Sequence, residues 1–408
     1  MYVFPQDAVD DLFSSPDETL SEGAEGSEGD GDGGDAGEGD GGAEDADGGG
    51  SSGGQGALDV LAGINTGTTV KGSVSMSGSV VAGFHNWDFS TAGETVSAYY
   101  ELKSGVSLDV RPTGDLRFFS SLSVGLNADA VNITAPAIGE LFVDYTLADT
   151  VFFRVGKQGL TWGQGNFIAN PGNLVDDISE GISLKTFIPL GNNGLSVVIY
   201  PGGTSSSPLN FAYAALFEFS AGPLSFGLSG KFQRELDQAL SVDAYLKTVI
   251  AGIDIALESR VDFDTYPERD GYVPPRVQAV SNVFWESDIG LRLFGEYFFA
   301  YGPQEVIYIS ETETVPAEAG THIGGVGILF PDLFGGDWSP GLRWFHNFSD
   351  GSGQVVAGIT GTIAPHLRLN IAIPAVYGAS YGYYQRNNDD PERRRLSLVT
   401  QLTLSASF

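Results

Sequence analysis

The stretch that most constrains the fold is 395–408. Leu396, Leu398, Leu402, Leu404, Ala406 and Phe408 fall on one parity, and Ser397, Gln401, Thr403, Ser405 and Ser407 on the other. Successive side chains of a strand point to opposite faces, so this period of two dictates a strand with one oily and one polar face. The same rule recurs upstream. Leu141, Val143, Tyr145 and Leu147 alternate with Glu140, Asp144 and Thr146, and Leu257, Val261 and Phe263 alternate with Glu258, Arg260 and Asp262. Charges keep returning to the face opposite the hydrophobes. A soluble sandwich obeys this parity as well as a membrane barrel does, so parity alone does not choose between them.

The closing strand, ending on an aromatic at Phe408, resembles the last strand of bacterial outer-membrane β-barrels. The resemblance implies that Leu402, Leu404 and Phe408 form the signal read by the barrel-insertion machinery, and that the oily face meets outer-membrane lipid. It further implies a secretory leader, and none is visible in this sequence.

Size supports a barrel. The chain has 408 residues, no Cys, 57 Gly and 12% aromatics. That exceeds what one ordinary core fills, yet no 3.6-residue apolar stripe marks a helical domain. A closed barrel grows by adding strands and needs no deeper core. No run is long and apolar enough for a membrane helix. The charge-free stretch 186–217 is broken by Pro189, Asn192, Asn193, Gly202, Gly203 and Pro208, and reads as two or three strands.

The formal net charge is −32, and residues 1–56 supply half of it through sixteen Asp or Glu with no Lys or Arg. Such a segment cannot bury enough apolar surface to offset its ordering entropy. The expected organisation is a mostly unstructured 1–21, a disordered acidic Gly-rich linker 22–56, a lead-in 57–68 and a barrel 69–408. Asp30, Asp32 and Asp35 do not make a calcium hand, because that loop needs Gly at its sixth place, where Asp35 stands.

Strands are expected near 69–84, 95–110, 116–127, 139–147, 150–158, 182–190, 195–200, 209–220, 224–234, 239–248, 252–263, 276–285, 289–301, 321–330, 340–348, 355–363, 366–374 and 395–408. That is an all-β, antiparallel, up-and-down transmembrane barrel of about eighteen strands, with sixteen as the second choice. Connections alternate between longer ones (85–94, 159–181, 264–275, 302–320, 375–394) and short ones rich in Gly, Asn, Pro and Asp (111–115, 148–149, 191–194, 364–365). The exceptions are 235–238, which is short, and 331–339, which is long. An even count with both ends on the short-turn side is the topology of a bacterial barrel with periplasmic termini.

The assigned parity places Arg154, Lys231, Lys247, Arg260, Arg292, Arg343 and Arg368 on the inner face, opposed by Glu140, Asp144, Glu218, Asp243, Asp254, Glu258 and Glu296, with Gln158 and His366 beside them. The two charged sets are equal in number, so neither cation nor anion selectivity follows. The run Arg154-Val155-Gly156-Lys157-Gln158 leading into Thr161-Trp162-Gly163-Gln164-Gly165 is loosely similar to a pattern of porin-like outer-membrane families. Its glycines permit the sharp bend of a loop that folds into the lumen. In that arrangement Trp162 lines the constriction or stacks on a sugar, while Asp176, Asp177 and Glu180 add negative potential. In the alternative arrangement the loop is exposed and Trp162 joins the interfacial girdle.

Catalytic readings find little material. The chain has four histidines, His85, His322, His346 and His366, none in the His-x-Ser arrangement of the outer-membrane phospholipase family. No Cys, paired-His metal spacing or phosphate-cradling Gly-Lys motif occurs, so no cofactor is expected. The acidic balance opposes nucleic-acid binding. The expected function is a porin-type channel for passive diffusion of small hydrophilic solutes, and the resemblance to porin families implies a homotrimer. The alternative is a surface-interaction protein, an adhesin or envelope anchor on a plugged barrel.

Overall fold

The computed structural model describes residues 69–84, 96–127, 132–133, 135–148, 150–175, 181–201, 208–233, 240–263, 274–302, 305–308, 314–317, 320–331, 338–378, 382–384 and 396–407. The readings of 1–68, and of Asp176, Asp177, Glu180 and Phe408, lie outside these residues.

Eighteen long strands follow one another: β1 (Thr69–Phe84), β2 (Val96–Thr113), β3 (Leu116–Asn127), β4 (Ala137–Leu147), β5 (Val151–Lys157), β6 (Ile182–Leu190), β7 (Asn193–Tyr200), β8 (Ala212–Ala221), β9 (Leu224–Phe232), β10 (Leu240–Ile250), β11 (Ile253–Phe263), β12 (Arg276–Glu286), β13 (Arg292–Tyr301), β14 (Thr321–Leu329), β15 (Trp338–Asn347), β16 (Ser352–Ala364), β17 (Leu367–Tyr377) and β18 (Leu396–Ser407). Each pairs antiparallel with its neighbours in sequence, and β1 also pairs with β18 from Ser73 opposite Ser407 to Phe84 opposite Leu396. That last ladder closes the sheet, so none of these eighteen strands is left as an edge. Leu402 and Leu404 stand in the closing strand, opposite Gly78 and Met76 of β1 and opposite Leu369 and Leu367 of β17. The stretch 186–217 contributes to three consecutive strands, β6 to β8.

Closure forces one face of every strand outward, and the alternation of exposure shows which. Val106, Phe118, Leu141, Val155, Leu228, Leu257, Val326 and Leu342 are exposed large hydrophobics at mid-strand. The opposite face carries buried polar and charged residues, among them Asp243, Glu258, Asp262, Gln278, Asn282, Glu296 and Asn370. An oily exterior around a polar interior inverts the soluble sandwich and is the arrangement of a membrane barrel.

Both barrel termini lie at one rim. The connections at that rim are mostly tight, at 114–115, 191–192, 222–223, 251–252 and 365–366, and 330–337 is the longest. Left-handed residues make several of these turns, among them Ala148, Gly191, Gly222, Gly252 and His366 at φ +65°. The opposite rim carries the long connections, including 302–320, which folds a small hairpin of its own, Val306–Tyr308 against Thr314–Pro316. One connection there, 348–351, is short.

Outward aromatics gather near the long-loop rim. The Trp344 indole donates to Tyr377 Oη at 2.7 Å, and His346 stacks between Trp344 and Tyr377. Amphipathic rings favour a membrane interface. Other aromatics lie inside the barrel: Phe298 is buried with Ala300 and Ile323, and Ile168, Ala169 and Tyr384 pack against that cluster.

Candidate functional site

The inner wall is built by register. Residues opposite one another in adjacent strands share a face, so Arg117, Asp144, Arg154 and Lys185 form one row across β3, β4, β5 and β6. Arg154 holds Asp144 in a fork, Nε to Oδ1 at 2.6 Å and Nη2 to Oδ2 at 3.1 Å. Arg117 binds Asp109 at 3.0 Å and reaches Asp144 at 3.5 Å. Beneath the guanidiniums the rings of Phe119 and Phe142 stack 5.0 Å apart, with Arg154 at 3.9 Å from the Phe142 centroid. Farther round, Arg260 pairs with buried Asp262 at 2.6 Å and Arg276 with Glu305 at 2.7 Å. The side chains of Arg117, Arg154, Arg260 and Arg276 keep 21–30% of their exposure, although all point inward from a closed wall. Water therefore reaches them.

The other part of the site is the chain between β5 and β6. Residues 158–175 turn inward and run along the wall. Gln158 anchors the start: wholly buried, it donates from Nε2 to Ser183 Oγ at 3.0 Å. Gly156 accommodates the approach to that bend, at φ +139° and so close to β4 that an added methyl would lie only 2.1 Å from Leu141 O. Leu160, Trp162, Leu174 and Val175 then pack on Val198 of β7, Ala212, Ala214 and Leu216 of β8 and Tyr245 of β10. Next the backbone meets two carboxylates. Gln164 N–H donates to Glu258 Oε2 at 2.7 Å. Asn166 and Phe167 donate to Glu296 Oε2 at 2.7 and 3.1 Å, and Ile168 and Ala169 to Glu296 Oε1 at 2.8 and 3.1 Å. One carboxylate thus satisfies four successive amides. Asn282 Nδ2 donates to Gln164 O, and Arg260 to Pro171 O at 3.1 Å. At the far end Phe167 sets its edge against Phe294 at 5.1 Å and Phe345 at 5.6 Å.

These contacts spread over strands from β7, two beyond the loop's start, round to β15, about half of the barrel. The loop covers that side of the interior and leaves the β2 to β6 side, with Asp109, Arg117, Asp144, Arg154 and Lys185, facing the remaining space.

The residues singled out from parity occupy different settings. Glu140, Asp144, Arg154, Glu218, Lys231, Asp243, Lys247, Asp254, Glu258, Arg260, Arg292, Glu296 and Arg343 stand at inner-face positions of their strands, buried or half-buried. Glu140 accepts from Gly159 N–H at 2.7 Å, and Glu218 accepts from Tyr245 Oη. Arg343 lies over the Phe294 ring at 5.0 Å. Parity puts His366 beside Arg368 on a strand; it stands instead in the β16–β17 turn, exposed, and Arg368 next to that rim is exposed as well. Trp162 is 6% exposed in the cluster between loop and wall, so it lies neither on a passage nor in a girdle. Parity reasoning passes over Asp109, Arg117, Lys185 and Arg276. Pairing the strands in register would find Lys185, which sits opposite Arg154.

No protein-family model matches the chain, and no curated protein matches its sequence. Solved structures do match. The outer membrane protein opdK of Pseudomonas aeruginosa is similar at a TM-score of 0.55 and 9% identity, over 83% of this chain and 99% of that one. OccK3 (OpdO) of the same organism gives 0.56 and 10%, over 83% and 96%. OccAB4 of Acinetobacter baumannii gives 0.54 and 6%, over 84% and 100%. At such identities the likeness is one of architecture: this chain has the fold of outer-membrane β-barrel porins.

Proposed function

We propose that the protein is a porin-type channel of a bacterial outer membrane, through which small hydrophilic solutes diffuse passively. The observation that carries this reading is the wet inner face. Guanidiniums on a closed, oily-outside wall retain solvent contact, which a solidly packed cylinder would deny them. Eighteen strands enclose more room than their own side chains fill. The loop 158–175 narrows that room on one side without filling it, so it acts as the constriction, and solutes pass along the β2 to β6 wall. Both termini then lie on the periplasmic side, where the short turns are, and the long connections face outward. Outer-membrane lipid meets the exterior, and the insertion machinery reads Leu402, Leu404 and Phe408. A homotrimer is the assembly proposed from porin resemblance. The barrel needs no cofactor and performs no catalysis.

Planar-bilayer recording tests the reading. Purified protein, shown folded by heat-modifiable gel migration, should give discrete conductance steps. Folded, inserted protein that passes no current would reject it.

A further inference from the structure

Glu258 is 3% exposed, and its Oε2 accepts the Gln164 amide while its Oε1 meets no donor. Asn170 Oδ1 is likewise buried without a donor. Both orphans border the same glycine: a methyl on Gly163 would lie 2.0 Å from Asn170 Oδ1 and 2.8 Å from Glu258 Oε1. Two acceptors thus share the space one methyl would fill. Turning the Asn170 amide over does not help, because its Nδ2 already donates to Trp162 O at 2.8 Å and the turn would set oxygen against oxygen there. Leaving two buried acceptors unmade is destabilising, because neither water nor the protein repays their desolvation.

We infer that Glu258 carries a proton at neutral pH and donates it from Oε1 to Asn170 Oδ1, so that a neutral carboxyl positions the constriction loop. One proton satisfies both orphans and leaves Oε2 free to accept from Gln164. The surroundings agree. Residues 158–175 contain no titratable side chain. From the wall, Asp243 and Tyr245 of β10, Arg260 and Asp262 of β11 and Glu296 of β13 face this region, and Arg260 is already engaged by Asp262 and Pro171 O. Asp243, 2% exposed with Oδ2 also lacking a donor, brings its carboxyl within hydrogen-bonding reach of Glu258, and two bare charges there would repel. Glu258 is a positioning residue, since it acts on solutes only through the loop. This inference takes the loop as the constriction of the proposed channel, but its first test needs no conduction.

That test is infrared difference spectroscopy on the full chain in detergent at neutral pH. The wild type should show a protonated-carboxyl stretch that E258Q lacks and D243N keeps. Absence of the band from the wild type, or its survival in E258Q, overturns the inference; a bare carboxylate with a bound cation would give the first result. The second test uses single-channel records. Glu258→Gln keeps the donor at the same place, so its current should stay as quiet as the wild type's while E258A and N170A flicker. Wild-type current should grow noisy as the pH rises, and E258Q current should not. If E258Q flickers like E258A, with heat-modifiable migration intact in both, the proton has no role. Silence in every variant would sink the channel reading and leave the spectral result standing.

Discussion

Removing the Glu296 carboxylate should undock the constriction loop. Glu296 is 4% exposed and accepts four amides in succession, from Asn166 to Ala169. Hydrogen bonds to a charged group contribute about 1.5–3 kcal/mol each, which taken singly would total near 10 kcal/mol. Three effects cut that figure. The freed amides face a wet lumen and regain water, the carboxylate's own desolvation is relieved, and neighbouring bonds to one acceptor are not additive. A net loss of about 3 kcal/mol is expected for E296A, a factor on the order of 10² in the ratio of docked to undocked loop. Phe167 still packs on Phe294 and Phe345, so the loop should sample both positions and not leave for good. In single-channel records E296A should show larger mean conductance with flicker, and a protease added on the long-loop side should cut within 158–175. Glu296→Gln should fare little better than Ala. Its amide nitrogen would present hydrogens to two of the four donors. Glu258→Gln should behave in the opposite way. An E296A channel as quiet and as narrow as the wild type, and equally protease-resistant, would refute the claim that this carboxylate holds the constriction.

Three further outcomes follow from the same geometry. Lys185→Glu replaces a cation opposite Arg154 on the uncovered wall; two charge units at ~10 Å through water raise an anion's energy by about 0.8 kcal/mol and lower a cation's by as much, so the anion-to-cation permeability ratio from reversal potentials should fall by a factor on the order of 15. Gly165→Ala would set a methyl 1.9 Å from Ala169 O and should disrupt the loop tip, whereas Gly114→Ala, with nothing within 4 Å, should leave conductance unchanged. Leu257→Arg, at an outward position 50% exposed, should cost about 2–4 kcal/mol of folding stability in urea titrations from lipid vesicles.

The barrel was legible in the sequence because its causes are local. Period-two alternation marks each strand, and turn chemistry marks each short connection, so the circuit of eighteen strands and the common rim of both ends follow without tertiary information. Boundaries drift where local rules compete. His366 continues the polar parity of β17 yet takes a left-handed turn conformation, since the tight connection after Pro365 needs one residue there. The course of the loop was not legible by parity. Glu258 and Glu296 look like any other inward carboxylates, and their role depends on amides 94 and about 130 positions away.

One signal for the inward loop was nevertheless present. A water-lined inner face should carry charge on most strands, yet 186–217 has none. The structure explains the gap: inner positions Val198, Ala212, Ala214 and Leu216 are 0–7% exposed beneath Leu160, Trp162, Leu174 and Val175. An apolar inner wall is stable only if something apolar covers it, because bare hydrocarbon facing lumen water would forfeit about 25 cal/mol per Å². Charge returns at Asp144, Arg154 and Lys185 on one flank, and the outward oily face runs unbroken past both. A charge-free inner face on consecutive barrel strands therefore marks the wall on which an inward loop must lie.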